Sequence, residues 1–162
     1  MSKVLTITPT DLMSVFKRML GHSKLLMSKP HLIPKVGWGY FQTLVFGKPS
    51  LRTIEFAINT DCQSECTFCY ATQNVHEDEE ELSLEEIRRI WQEAKKLGAF
   101  SSIISGGEPT LRKDLVEILD AVEAKKNIVC MTTNAISLNE EKLKKLKEAG
   151  LSTLHLSRDS LD

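Results

Sequence analysis

The sequence predicts an α/β domain: parallel strands joined by helices, in the manner of a (β/α) barrel. Three observations predict it. From Thr53 onward, strand-like and helix-like stretches alternate, giving four strands. Two of these helical stretches open on cap residues, Ser83 and Asn139, and close on glycines, Gly98 and Gly150. Each motif that carries chemistry lies just past the end of a strand. Parallel strands send their exits to one rim, and in barrels of this kind that rim collects ligands and catalytic groups.

The elements are taken in chain order. Residues 1–52 form a basic arm, with eight Lys/Arg against the single acid Asp11, net +7. Residues 53–162 carry −8, so the chain's −1 hides a division. The arm is expected to pack on its own acidic body, with an anionic surface or partner as the other reading. It lacks the aromatic–basic interleaving of a nucleic-acid binder. Thr10 caps an expected helix on which Leu12, Val15, Phe16, Met19 and Leu20 recur until Gly21. Pro30, Pro34, Gly37, Gly39, Gly47 and Pro49 predict turns and irregular chain over 30–50, anchored by Trp38, Tyr40 and Phe41.

Thr53 to Thr60 alternates as a strand, with Ile54, Phe56 and Ile58 on one face. An acidic loop follows around His76 and is expected to be solvated. Ser83 to Glu86 is a capping box, and its helix should bury Ile87, Ile90, Trp91, Ala94 and Leu97 before Gly98. Phe100 to Ser105 is a second strand, followed by a helix from about Arg112 to Lys126. Ile128 to Thr133 is a third strand, and Asn139 caps a helix ended by Gly150. Leu151 to Ser157 is the fourth strand.

The length of 162 residues suits one domain with a real core. No apolar run reaches the roughly 18 residues of a membrane span. Clustered cysteines without a secretory signal are expected as reduced thiols in the cytoplasm.

Cys62-Gln-Ser-Glu-Cys66-Thr-Phe-Cys69 places three of the four cysteines within eight residues, spaced C-x3-C-x2-C. Three thiolates suit a four-iron cluster with one iron left open, whereas structural zinc wants four ligands. Gly106-Gly107-Glu108-Pro109 follows the second strand: its glycines permit close backbone approach, and its carboxylate suits an ammonium. Thr133-Asn134-Ala135 leaves the third strand and Ser157-Arg158-Asp159 the fourth.

With Phe68 just before the last cysteine, these motifs resemble the radical S-adenosylmethionine (radical SAM) superfamily over about residues 53–162. The resemblance implies a [4Fe-4S] cluster on Cys62, Cys66 and Cys69, adenine contacts at Phe68, and the SAM ammonium at Gly106, Gly107, Glu108 and Pro109. It also implies SAM contacts at Asn134, Asp159 and Ser157, the last near the ribose. No catalytic residue is assigned. Gln63 departs from the family's usual Asn, Ala135 from Gly, and Arg158 from an apolar residue. Cys130, inside a strand, is rejected as a ligand.

The implied chemistry is reductive cleavage of SAM to a 5'-deoxyadenosyl radical, fed by a one-electron donor such as flavodoxin or ferredoxin. The substrate is unidentified; the subgroup resembled contains molybdenum-cofactor synthases, peptide maturases and a hopanoid enzyme, which act on a nucleotide, peptides and a lipid. Family barrels have more strand–helix units than the four strands here, so the chain is expected to be a partial barrel of radical SAM type, an N-terminal fragment incomplete as a catalyst. Two other classes stay open: a non-catalytic iron–sulfur carrier, and a zinc-stabilised module using Cys130.

Overall fold

A computed structural model describes residues 23–67, 69 and 80–157. The helix expected between Thr10 and Gly21, the acidic loop at His76, Phe68 and the segment Arg158–Asp162 lie outside the described residues.

Four strands, β1 (Thr53–Ala57), β2 (Ser101–Ser105), β3 (Ile128–Thr133) and β4 (Thr153–Leu156), form one parallel sheet in the order β1-β2-β3-β4. The register pairs Thr53 with Ser101, Ser101 with Ile128 and Cys130 with Thr153. Each strand thus lies beside its predecessor, and all four exits face one rim, as strand–helix alternation requires.

The two faces of the sheet are covered differently. On one face Phe56, Ile58, Ile104, Val129 and Met131 meet the helices that connect the strands. The helix Leu84–Lys96 contributes Ile87, Trp91 and Ala94, all buried, and Leu115–Ala121 contributes Ile118 and Leu119. Leu146 completes this core from Glu140–Glu148. Burying one such large apolar side chain contributes about 1.5–3 kcal/mol. Ser83 and Glu86 form the expected capping box, and Asn139 caps the last helix by accepting from Lys142 N–H at 2.8 Å. Leu97, expected in the core, is exposed because the helix has already ended beneath it.

On the other face Ile103, Ile128 and Cys130 meet Leu26, Leu32, Val36 and Tyr40 from the segment before β1. Here the sequence reading fails. Residues 30–50 are largely helical, with a short 3-10 turn at Pro30–Leu32 and a helix at Ile33–Phe46. Pro34 sits in the first turn, where its missing N–H costs nothing, and Gly47 is the left-handed C-cap (φ 63°). Two residues read as breakers therefore mark the two ends of a helix. Of the three aromatics expected to anchor it, only Tyr40 is buried; Trp38 and Phe41 stack on each other at the surface.

The described part of the arm packs on the body, where Lys29 and Lys35 bind carbonyl oxygens rather than carboxylates. Lys29 donates to the carbonyls of Ala124, Asn127 and Gly150 and to the Ser152 hydroxyl. Lys35 donates to Ala99 O, and His31 Nε2 lies 2.7 Å from Lys126 O. Arg52 lies over the Tyr40 ring at 4.0 Å.

The helix expected over Arg112–Lys126 is shorter, Leu115–Ala121. Arg112 is extended instead, and its guanidinium reaches Ile58 O, Leu82 O (2.7 Å) and Asp114 (2.8 Å). That bond set ties the exit of β1 to the start of the following helix. At the other end Glu123 takes a left-handed conformation (φ 51°) and Ala124 N–H closes on Leu119 O at 2.8 Å.

Candidate functional site

The site is built where the strands end. Past β1, Ile58 N–H still pairs with Ser105 O (2.9 Å), after which Asn59 turns inward and is buried. The loop after β2 is laid against this turn. Gly107 N–H donates to Asn59 O (2.8 Å), Glu108 N–H to Asp61 O (2.7 Å), and Asn59 Nδ2 to Glu108 O (3.0 Å). The approach is so close that a Cβ on Gly107 would stand 2.3 Å from Asp61 O. The glycine is thus required by the neighbouring backbone, a reason for it that the sequence reading did not include.

This seam sets the height of Cys62, which follows Asp61 directly. Cys62 and Cys66 are exposed and Cys69 half-buried. All three line one cavity of about 190 Å³ with Gly106, Gly107, Glu108, Asn134 and Ser157. Ser105, Thr132 and Thr133 form its floor, and Ser64 also borders it. Pro109 is buried and opens the 3-10 turn Pro109–Leu111. Phe68 and Asp159 lie outside the described residues. The structure therefore brings together residues from four separate strand exits.

Glu108 is the most deeply buried polar group at the cavity, 1% exposed. Its Oε1 accepts from Thr110 N–H (3.0 Å), the Thr110 hydroxyl (2.5 Å) and the Thr133 hydroxyl (2.7 Å). Its Oε2 accepts from Asn134 N–H at 2.8 Å. These donors are all neutral. Among the described residues no Lys, Arg or His forms an ion pair with this carboxylate. A buried carboxylate solvated by fixed dipoles gives one end of the cavity a negative pole.

Thr110 and Thr133 were missed as site-supporting residues. Thr110 sits in the 3-10 turn two residues from Glu108, whereas Thr133 at its strand end reads as ordinary β propensity and is aimed at the carboxylate only by the tertiary fold. Cys130 lies away from the cavity, in the cluster beneath the sheet, and burial pushes its thiol pKa up. That is the wrong direction for a thiolate ligand.

The donor set fits an iron–sulfur cluster. Cys62 Sγ already receives N–H groups from Ser64 (3.4 Å) and from Asn134 Nδ2 (3.7 Å). Among the described residues no three of His, Cys, Asp and Glu converge to hold a single ion. A cluster in which each thiolate takes its own iron does not need them to.

A family model described as "Radical SAM superfamily" matches residues 57–162. The chain is 35% identical over 118 residues to an Fe-coproporphyrin III synthase of Methanosarcina barkeri, covering 73% of this chain and 30% of that protein. It is 36% identical over 113 residues to a GTP 3',8-cyclase of Mannheimia succiniciproducens, covering 67% of this chain and 33% of that one. Among solved structures, SuiB of Streptococcus suis bound to S-adenosylmethionine superposes with a TM-score of 0.53 at 29% identity, over 70% of this chain and 24% of SuiB. The chain thus spans about a quarter to a third of the length of these relatives.

Proposed function

This chain belongs to the radical SAM superfamily, and we propose that it holds a [4Fe-4S] cluster on Cys62, Cys66 and Cys69 and binds SAM beside it. The observation that carries the reading is the shared cavity: three cysteines, the Gly-Gly-Glu loop, Asn134 and Ser157 meet at one rim. In this reading the buried Glu108 carboxylate complements the methionine ammonium, and Gly106, Gly107 and Pro109 shape the wall beside it. Ser157, whose N–H continues the ladder to Thr133 O at 2.9 Å, offers its hydroxyl at the rim for the ribose. Phe68 and Asp159 are assigned to SAM from the sequence alone.

When bound, the pair of cofactors supplies one-electron cleavage of SAM to methionine and a 5'-deoxyadenosyl radical, which abstracts hydrogen from substrate. The chain's own part is to ligate, orient and shield. Ser105, Thr132 and Thr133 line the cavity beside the cysteines and the Gly-Gly-Glu loop. A flavodoxin or ferredoxin would deliver the electron, in the cytoplasm; no helix among the described residues is long and apolar enough to cross a membrane. The sequence resemblance points to a peptide, a nucleotide or a lipid as substrate, and each is to be assayed.

The test is anaerobic reconstitution of single Cys→Ala variants, read by iron and acid-labile sulfide content. Loss of the cluster in the Cys62, Cys66 and Cys69 variants and its retention in Cys130→Ala is the expected result. A full cluster in Cys62→Ala, or colourless zinc in the unaltered protein, overturns the reading.

A further inference from the structure

We propose that Asn134 is a hydrogen-bond donor to the Cys62 sulfur and that it raises the reduction potential of the cluster held there. The inference rests on the cluster assignment above. In this structure the Cys62 thiol stands in for the iron-bound thiolate.

The orientation of the Asn134 side chain follows from its partners. Its Oδ1 accepts from Ile136 N–H at 3.0 Å, and a backbone N–H can only donate. Gln63 Nε2 adds a second, longer contact to the same oxygen at 3.4 Å. The oxygen is therefore committed to that side, and Nδ2 must face the other way. There it meets Ser64 Oγ at 3.2 Å and Cys62 Sγ at 3.7 Å. Inverting the amide would set an NH2 group against the Ile136 N–H and lose that bond.

The backbone of Asn134 is held as firmly. Its N–H donates to the buried Glu108 Oε2 at 2.8 Å, and Ala135 N–H closes on the Thr133 hydroxyl at 3.0 Å. One residue thus links the carboxylate of the second strand's exit to the sulfur of the first. Gln63, where the family pattern has another residue, also bonds Ser137 Oγ at 3.1 Å, bracing the same turn.

A donor aimed at a cluster sulfur stabilises the more negative, reduced state, and so raises the potential. Removing the donor should make the cluster harder to reduce. SAM contact alone makes no such demand, because the potential can be measured without SAM.

The experiment is an EPR-monitored redox titration of the reconstituted protein without SAM, comparing wild type with Asn134→Asp and Asn134→Ala. Asn134→Asp keeps the acceptor for Ile136 N–H and so preserves the local turn, while replacing the donor by a negative charge that itself lowers the potential. Asn134→Ala removes the donor without adding charge. Iron content shows first that each protein carries its cluster, so absence of iron in wild type rejects the cluster assignment rather than this inference. A midpoint shifted to more negative values in both variants supports the proposal. Midpoints equal to or above wild type, in variants with full iron, overturn it.

Discussion

Thr133 donates its hydroxyl to Glu108 at 2.7 Å, joining the last residue of the third strand to the loop that leaves the second. With Asn134 N–H on the other carboxylate oxygen, this bond makes the rim a single unit. The Glu108 carboxylate is therefore a structural link between two strand exits.

Glu108→Gln is expected to lower stability as well as SAM affinity. Each carboxylate oxygen faces a backbone N–H, from Thr110 or Asn134, so the NH2 of glutamine must oppose one of them. A buried donor left unsatisfied costs about 1–3 kcal/mol. Urea unfolding of the apo-protein measures that loss; calorimetry on the reconstituted protein should show affinity reduced roughly 10–100-fold, for a lost charge-assisted bond. Unchanged urea stability would mean that the carboxylate does not hold these donors.

Gly107→Ala should displace the cysteine loop. The new methyl would lie 2.3 Å from Asp61 O and 2.5 Å from Thr60 O, both backbone atoms with no rotamer to change. Relief requires the turn before Cys62 to move. Reduced iron uptake at an otherwise folded circular dichroism spectrum is the expected outcome, and iron uptake equal to wild type would contradict it.

Lys29→Met should destabilise the contact between the arm and the sheet. The ammonium serves Ala124 O, Asn127 O, Gly150 O and Ser152 Oγ, and the residues carrying the first two carbonyls are buried. Leaving them unpaired is expected to cost about 1–3 kcal/mol. Denaturant titration checks this, and limited proteolysis within residues 23–46 should become faster.

Acid should weaken the fold partly through Asp114 and Glu123. The Arg112 hydrogen bond holds the Asp114 carboxyl below its ordinary value, and the Lys95 bond does the same for Glu123. A depressed native pKa contributes stability that is complete above the ordinary value and is lost as pH falls through the depressed one. Melting temperature should therefore fall as pH drops below about 4, the ordinary carboxylate range. Asp114→Asn should lie below wild type at neutral pH and converge with it in acid; parallel curves would exclude the linkage.

The sequence by itself determined the β1-to-β4 alternation, the Ser83 and Asn139 caps, and the grouping of Cys62, Cys66 and Cys69, because each is a local pattern. Strand period, cap chemistry and cysteine spacing are set by residues within one turn or loop of each other. Only the tertiary structure decided how the exits interlock. That Gly107 is demanded by Asp61 O, that Arg112 leaves its helix for Ile58 O, and that Asn134 bridges Glu108 to Cys62 depend on chain segments 26–72 residues apart. The helix over Ile33–Phe46 belongs to the same category: its prolines and glycines are poor helix formers, and burial of Val36 and Tyr40 against the sheet outweighs that local preference.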